Sequence, residues 1–212
     1  MNISATLNSI RLLFNPNLAL PHQVCNDFNS IKVPIGQFII QNQPKIKAIV
    51  LDKDNCFAEK GDDKVYAGYT EKWKELINYY SKNNILIVSN SAGTNDDINH
   101  SQAKILEKET GIAVLRHSTK KPGCYNEIID HFKKRGIVNG PEEILIVGDR
   151  LFTDVLMANL MGSWSIWIKN GVVRSESIIC KFERYLYKNL VKNSNNFPQF
   201  PKNANNFPKG FK

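Results

Sequence analysis

Five short apolar runs, at 46–52, 85–89, 112–116, 144–148 and 164–168, recur through the middle of the chain with amphipathic stretches between them. Each is short, rich in Ile, Val and Leu, and without polar alternation, so each reads as a strand buried on both faces. Strand and helix alternating at roughly 30-residue spacing build right-handed βαβ units, and hence a parallel sheet covered by helices on both sides. The expected fold is α/β, a doubly wound five-stranded parallel sheet.

The intervening stretches carry helical signals. Trp73, Leu76, Ile77 and Tyr80 share a face after Thr70, a candidate N-cap. Ile105 and Leu106 come before Gly111, Tyr125, Ile128, Ile129 and Phe132 before Gly136, and the stretch 153–161 before Gly162. A glycine just past the last periodic residue is a helix stop. A last helix, about 176–191, puts Ile179, Phe182, Leu186 and Leu190 on one side, available to the domain or to a partner.

Three regions follow from these patterns. Residues 1–44 form an arm: Ile3, Leu7, Ile10 and Phe14 lie at helical spacing, and four prolines break the stretch 16–44. The stripe suits a membrane surface or the domain's own core, and both readings stand. Residues 45–192 hold the α/β domain with its C-terminal helix. Residues 193–212 are an imperfect ten-residue Asn-Phe-Pro repeat, and this composition predicts disorder.

Composition narrows the function classes. With 212 residues and 42% hydrophobic content the chain can bury one sizeable core. No segment reaches the about 18 consecutive apolar residues of a membrane span. The four cysteines are scattered, without a C-x-x-C pair, which argues for reduced thiols. A formal net charge of +8 suits a polyanionic partner. No aromatic-rich basic strand or recognition helix supports a nucleic acid in that role.

The chemistry sits where the strands end. The first run closes in Leu51-Asp52-Lys53-Asp54-Asn55-Cys56, and a strand period of two would put both carboxylates on one side. The second ends in Ser89-Asn90, Lys121 stands at the entrance to a helix, and the fourth run ends in Gly148-Asp149-Arg150, with Asp154 five positions after Asp149. Asp52, Ser89, Lys121 and Asp149 are separated by 37, 32 and 28 residues. In a doubly wound sheet, ligands bind beyond the carboxyl ends of the strands.

Role follows from residue type. Asp52 and Asp149, with Asp54 adjoining through a backbone carbonyl, are hard oxygen ligands suited to Mg²⁺. A cation offsets the repulsion between Asp52 and a phosphate dianion, so Asp52 can act as nucleophile. Asp54 can protonate the leaving alkoxide and then activate water. Ser89, Asn90 and Lys121 supply donors and positive charge to the phosphoryl oxygens, with Asp154 and Arg150 in support.

These blocks resemble the four motifs of the haloacid dehalogenase (HAD) superfamily of phosphatases. Together with Arg116-His117-Ser118-Thr119-Lys120-Lys121-Pro122-Gly123-Cys124 and Met1-Asn2-Ile3-Ser4 they resemble, more closely, the fungal mitochondrial phosphatidylglycerophosphatases. The resemblance covers nearly all of residues 1–190 and leaves out the tail. It implies hydrolysis of phosphatidylglycerophosphate to phosphatidylglycerol, in cardiolipin synthesis, by a Mg²⁺ enzyme peripheral on the matrix side of the mitochondrial inner membrane.

Independently of family, the fifteen residues between Asp54 and Thr70 cannot hold a folded cap. The stretch from Ser89 to Lys121 has room for one helix and one strand. The expected site is therefore capless and open, which suits a bulky substrate or one presented at a membrane better than a small enclosed metabolite; that this substrate is a phospholipid on an anionic membrane is what the resemblance implies. A homo-oligomer is allowed. Two other readings fit parts of the pattern: a capless phosphatase for a soluble monoester or phosphoprotein, and a non-catalytic basic membrane-binding module.

Overall fold

The computed structural model describes residues 10–35 and 45–192; Ile3, Leu7 and the 193–212 tail lie outside the described residues. Six strands form one parallel sheet: β1 (Gln23–Cys25), β2 (Ala48–Leu51), β3 (Ile85–Ile87), β4 (Ala113–Val114), β5 (Ile144–Gly148) and β6 (Trp164–Ile168). Their order is β1-β6-β5-β2-β3-β4, so the chain winds outward from β2 in one direction and then returns to wind in the other. This is the doubly wound, HAD/Rossmann-like arrangement, with its switch in strand order at β2.

The sheet has one strand more than the five expected. β1 comes from the proline-rich arm and pairs with β6 at the sheet edge, Val24 opposite Trp167. At three residues it is too short to show a period, and the pairing partner that creates it lies far along the chain. Phe28, Ile31 and Ile35, following β1, pack into the same core as the central strands.

Alternation along the central strands splits that core in two. Ile49, Leu51, Ile85, Ile87, Leu145 and Val147 face one layer, with Phe57 and the helices α1 (Thr70–Tyr80) and α2 (Ser101–Thr110). Ala48, Val50, Leu86, Ile144 and Ile146 face the other, against α3 (Tyr125–Lys133) and α4 (Leu156–Met161). Gly111 and Gly162 end α2 and α4 in the left-handed conformation, as their positions predict. Thr70 is the first residue of α1 rather than its cap; its hydroxyl donates back to Ala67 O (2.9 Å).

The last helix, α5 (Ile178–Lys192), buries only the C-terminal half of its expected apolar stripe: Leu186 and Leu190 pack inward, while Ile179 and Phe182 are exposed. Cys180, Glu183 and Leu190 face inward, while Ile178, Phe182 and Tyr185 are 86%, 52% and 65% exposed. An ion pair overrides the hydrophobic pattern: the buried Glu183 carboxylate takes hydrogen bonds from Arg150 Nε (2.8 Å) and Phe152 N (2.9 Å). Leu12, in a helical stretch over 10–14, packs with Leu18, Leu156 and Leu190, and Leu13 and Phe14 stay exposed. Among the described residues no helix is long and apolar enough to cross a membrane.

Candidate active site

Every sequence-predicted site residue lies at or just beyond the carboxyl end of the sheet. β2 stops at Leu51, and Asp52 keeps one more sheet bond, its N–H donating to Val147 O (2.9 Å). The chain turns at Lys53, so Asp52 and Asp54 do not continue the strand period side by side. Asp52 is buried, and Lys121 Nζ donates to one of its oxygens. The same ammonium donates to Asp154 Oδ1 (2.6 Å), so one lysine bridges two buried carboxylates.

Asp54 sits nearer the mouth. Its carboxylate accepts from Gly61 N (2.8 Å) and Ser91 Oγ (3.4 Å), and Lys53 Nζ approaches to 3.1 Å. Lys53 is completely buried, and it also donates to Asp62 O (2.8 Å). It therefore ties the 54–63 loop to the base of the site. Nothing in the local sequence distinguishes Lys53 from a surface lysine.

Ser89 is fully buried beyond β3, with its hydroxyl 3.0 Å from Ser91 Oγ. His117 holds that turn, Nε2 lying 3.0 Å from Ser89 O and Nδ1 2.8 Å from Thr119 O. Asn90 Oδ1 accepts from Lys121 N (2.7 Å), fixing the backbone that presents the ammonium. Asn90 thus supports Lys121 directly.

Asp149 follows β5, and its Oδ2 accepts from Asn55 Nδ2 (3.1 Å). Asn55 Oδ1 in turn accepts from Val173 N (3.0 Å), linking the first and last loops of the site. Gly148 is required by space: a Cβ there would lie 2.3 Å from Asp154 Cγ. The roles of Asn55, Ser91, His117 and Glu183 escaped the sequence reading because each acts through a partner distant in sequence, and that of Lys53 because its burial is set by the fold.

Asp52, Asp149 and Asp154 each bring a carboxylate oxygen within 4.8 Å of the others. Burial, and then the neighbouring carboxylates, push Asp52 up to about 7 despite Lys121, and push Asp149 well above the usual range. Three carboxylates converge where the chain supplies one bridging ammonium, so ionising all three calls for further positive charge. The donor set is all oxygen, so the trio fits a hard divalent cation. Asp54's side chain is outside this trio. The four cysteines are free and buried, and burial pushes the Cys25, Cys56 and Cys124 thiols up, Cys124 to about 12.

A cleft of about 530 Å³ opens above these groups, lined by Asp52, Asp54, Lys121, Asp149 and Arg150 on the polar side. Val172, Val173, Ser177 and Cys180 form its other wall, ahead of and within the first turn of α5. The 55–66 segment holds turns and no domain, so the cleft is uncapped there.

Comparison with known proteins gives a consistent picture. A family model described as mitochondrial PGP phosphatase matches residues 3–173. The chain is 53% identical over 190 residues to the mitochondrial phosphatidylglycerophosphatase GEP4 of Saccharomyces cerevisiae, covering 90% of this chain and 99% of that protein. It is 32% identical over 194 residues to a probable mitochondrial phosphatidylglycerophosphatase of Schizosaccharomyces pombe (90% and 93% covered). A probable phosphatase of Bacillus subtilis, YqeG, is 24% identical over 147 residues (69% and 77%). No solved structure matches the chain.

Proposed function

The chain belongs to the mitochondrial PGP phosphatase family, and from that premise we propose that it hydrolyses phosphatidylglycerophosphate to phosphatidylglycerol through an aspartyl-phosphate on Asp52. The observation that carries this reading is the buried Lys121 bridging Asp52 and Asp154 beneath an open cleft. A nucleophilic carboxylate needs positive charge around the phosphate it attacks, and the chain supplies the first of it as Lys121.

Asp52 attacks phosphorus, while Lys121 and the Ser89 hydroxyl hold phosphoryl oxygens. Asp54, at the mouth, gives its proton to the leaving glycerol alkoxide and then takes one from the water that splits the acyl-phosphate. Lys53 and Ser91 orient Asp54 for both duties. Asp52, Asp149 and Asp154 would hold Mg²⁺, with Asp54 contributing its main-chain carbonyl. When bound, the ion neutralises charge on the phosphate and its carboxylates and orients the phosphoryl group for attack.

The same reading places the enzyme at an anionic bilayer, on the matrix side of the mitochondrial inner membrane, as a step in cardiolipin synthesis. α5 supports it by exposing the apolar residues of its N-terminal half. Ile178, Phe182 and Tyr185 follow i, i+4, i+7 from the cleft wall, beside Arg174, Lys181 and Arg184. A lipid whose acyl chains stay in the membrane must meet the cleft at such a rim. The groups of the proposed reaction all lie within residues 45–192, and β1 with Phe28, Ile31 and Ile35 from the arm completes the sheet and core that carry them.

The test is Mg²⁺-dependent phosphate release from a panel of phosphatidylglycerophosphate, soluble monoesters and a phosphopeptide. Preference for the lipid supports the proposal. Equal or better turnover of a soluble monoester or the phosphopeptide moves the function to those substrates, and no turnover of any leaves a non-catalytic membrane module.

A further inference from the structure

Arg150 lines the cleft from the strand end next to Asp149. Its Nε donates to Glu183, a carboxylate that is 1% exposed and that also caps Phe152 N. Burial pushes the Glu183 carboxyl up, and the Arg150 charge beside it opposes that push. A buried carboxylate on the last helix is a demanding way to hold a surface arginine, because breaking such a pair leaves a charge stranded. Its effect is to fix the guanidinium in one orientation. Among the described residues, Nε is the only nitrogen of this guanidinium given a hydrogen-bond acceptor, so its two Nη groups keep their donors. A guanidinium fork held this way matches the two unesterified oxygens of a phosphodiester.

The substrate of the proposed function carries two phosphates. The terminal monoester is the one cleaved; the other, a phosphodiester, stands one glycerol away toward the acyl chains. Asp52 and Lys121 are the buried groups of the cleft, and Arg150, also lining it, is tied through Glu183 to α5, whose exposed apolar residues form the rim. We propose that Arg150, positioned by Glu183, binds the phosphodiester and so selects a two-phosphate lipid headgroup over simple monoesters. The inference rests on the functional reading above. Lys60, on the opposite loop of the same cleft, has no buried carboxylate to orient it and is the competing candidate.

The experiment follows phosphate release from phosphatidylglycerophosphate in detergent micelles, with two soluble inhibitors. Inorganic phosphate probes the Asp52–Lys121 pair. Glycerophosphoglycerol, a diester with no monoester, probes Arg150. In the parent both inhibit. Arg150→Gln should raise the inhibition constant of the diester at least tenfold and raise KM more than it lowers kcat, while the constant for inorganic phosphate moves less than threefold.

Arg150→Lys keeps a cation beside Glu183, so it guards against loss of fold, and it should still weaken the diester several-fold because the fork is gone. Glu183→Gln should weaken the diester with Arg150 intact. A parent blind to the diester, variants in which both constants shift together, or loss of the diester only in Lys60→Ala would each overturn the Arg150 subsite. A parent silent on phosphatidylglycerophosphate itself would instead fail the functional reading, before any variant is compared.

Discussion

Lys121 and Asp52, 69 residues apart, meet as a buried ion pair at the floor of the cleft. Neither is stable there alone. Burial alone would push the Asp52 carboxyl up and the Lys121 ammonium down, and each opposes the other's shift. The pair holds the proposed nucleophile ionisable in a place that otherwise favours a neutral acid.

Asp52→Asn should abolish phosphate release while the protein keeps its secondary structure by circular dichroism. The amide occupies the same space and cannot attack phosphorus. Activity within tenfold of the parent would remove Asp52 from the nucleophile's role.

Asp54→Asn should lower kcat by roughly 10²–10⁴, the usual worth of general acid–base catalysis. The loss should shrink for a substrate with a good leaving group such as p-nitrophenyl phosphate, whose phenoxide needs no proton. Equal losses on both substrates would remove leaving-group protonation from Asp54 and put its effect in the water-activation step or in support of the 54–63 loop.

Metal and proton should compete for the carboxylate trio. Asp52, raised to about 7, and Asp149, raised well above its usual range, favour the protonated form in the folded, metal-free protein. Their stabilising effect is complete below the unfolded carboxylate pKa and is lost as pH rises through about 7. Asp97, Glu107 and Glu143, whose carboxyls are lowered, act at more acid pH and in the opposite sense. Mg²⁺ should therefore raise the melting temperature clearly at pH 8 and little at pH 5.5. EDTA should stop turnover, and Mg²⁺ should restore it. A Mg²⁺ shift independent of pH, or full activity in EDTA, would show that the trio is not the metal site.

Gly148→Ala should lower activity by about a hundredfold, the scale on which an ångström of misplacement at a reacting centre is felt. The new methyl would fall 2.3 Å from Asp154 Cγ, displacing a partner of Lys121. Unchanged kinetics would mean that Asp154 moves freely and does not hold the lysine.

Ile178→Asp with Ile179→Asp, at positions 86% and 55% exposed, should weaken sedimentation with liposomes of phosphatidylglycerol and cardiolipin several-fold. Turnover of a soluble ester should be spared. Binding should also fall as salt rises, because the neighbouring basic side chains act within a Debye length. Leu13→Ser with Phe14→Ser tests the other exposed apolar pair in the same assay. If neither pair matters and the oligomeric state changes instead, these faces join copies of the chain.

The local chemistry of the chain determined the sheet and the place of the site. Runs such as Ile144–Gly148 are apolar on every residue because both faces of a parallel strand are covered, and that signal survives without any knowledge of neighbours. Ser89 after β3, Asp149 after β5 and Asp52 after β2 were legible for the same reason: a polar residue ending such a run has only the strand's carboxyl edge to occupy. β1 and the inward side of α5 were decided by tertiary structure. Three residues of strand have no period of their own and exist because the edge of β6 was open. On α5 the apolar residues Ile179 and Phe182 left open whether that face meets the domain or a partner; the structure turns Glu183 inward, where Arg150 Nε and Phe152 N donate to its carboxylate. The period of a helix counts hydrophobic residues and cannot count an ion pair whose other half lies 33 residues away.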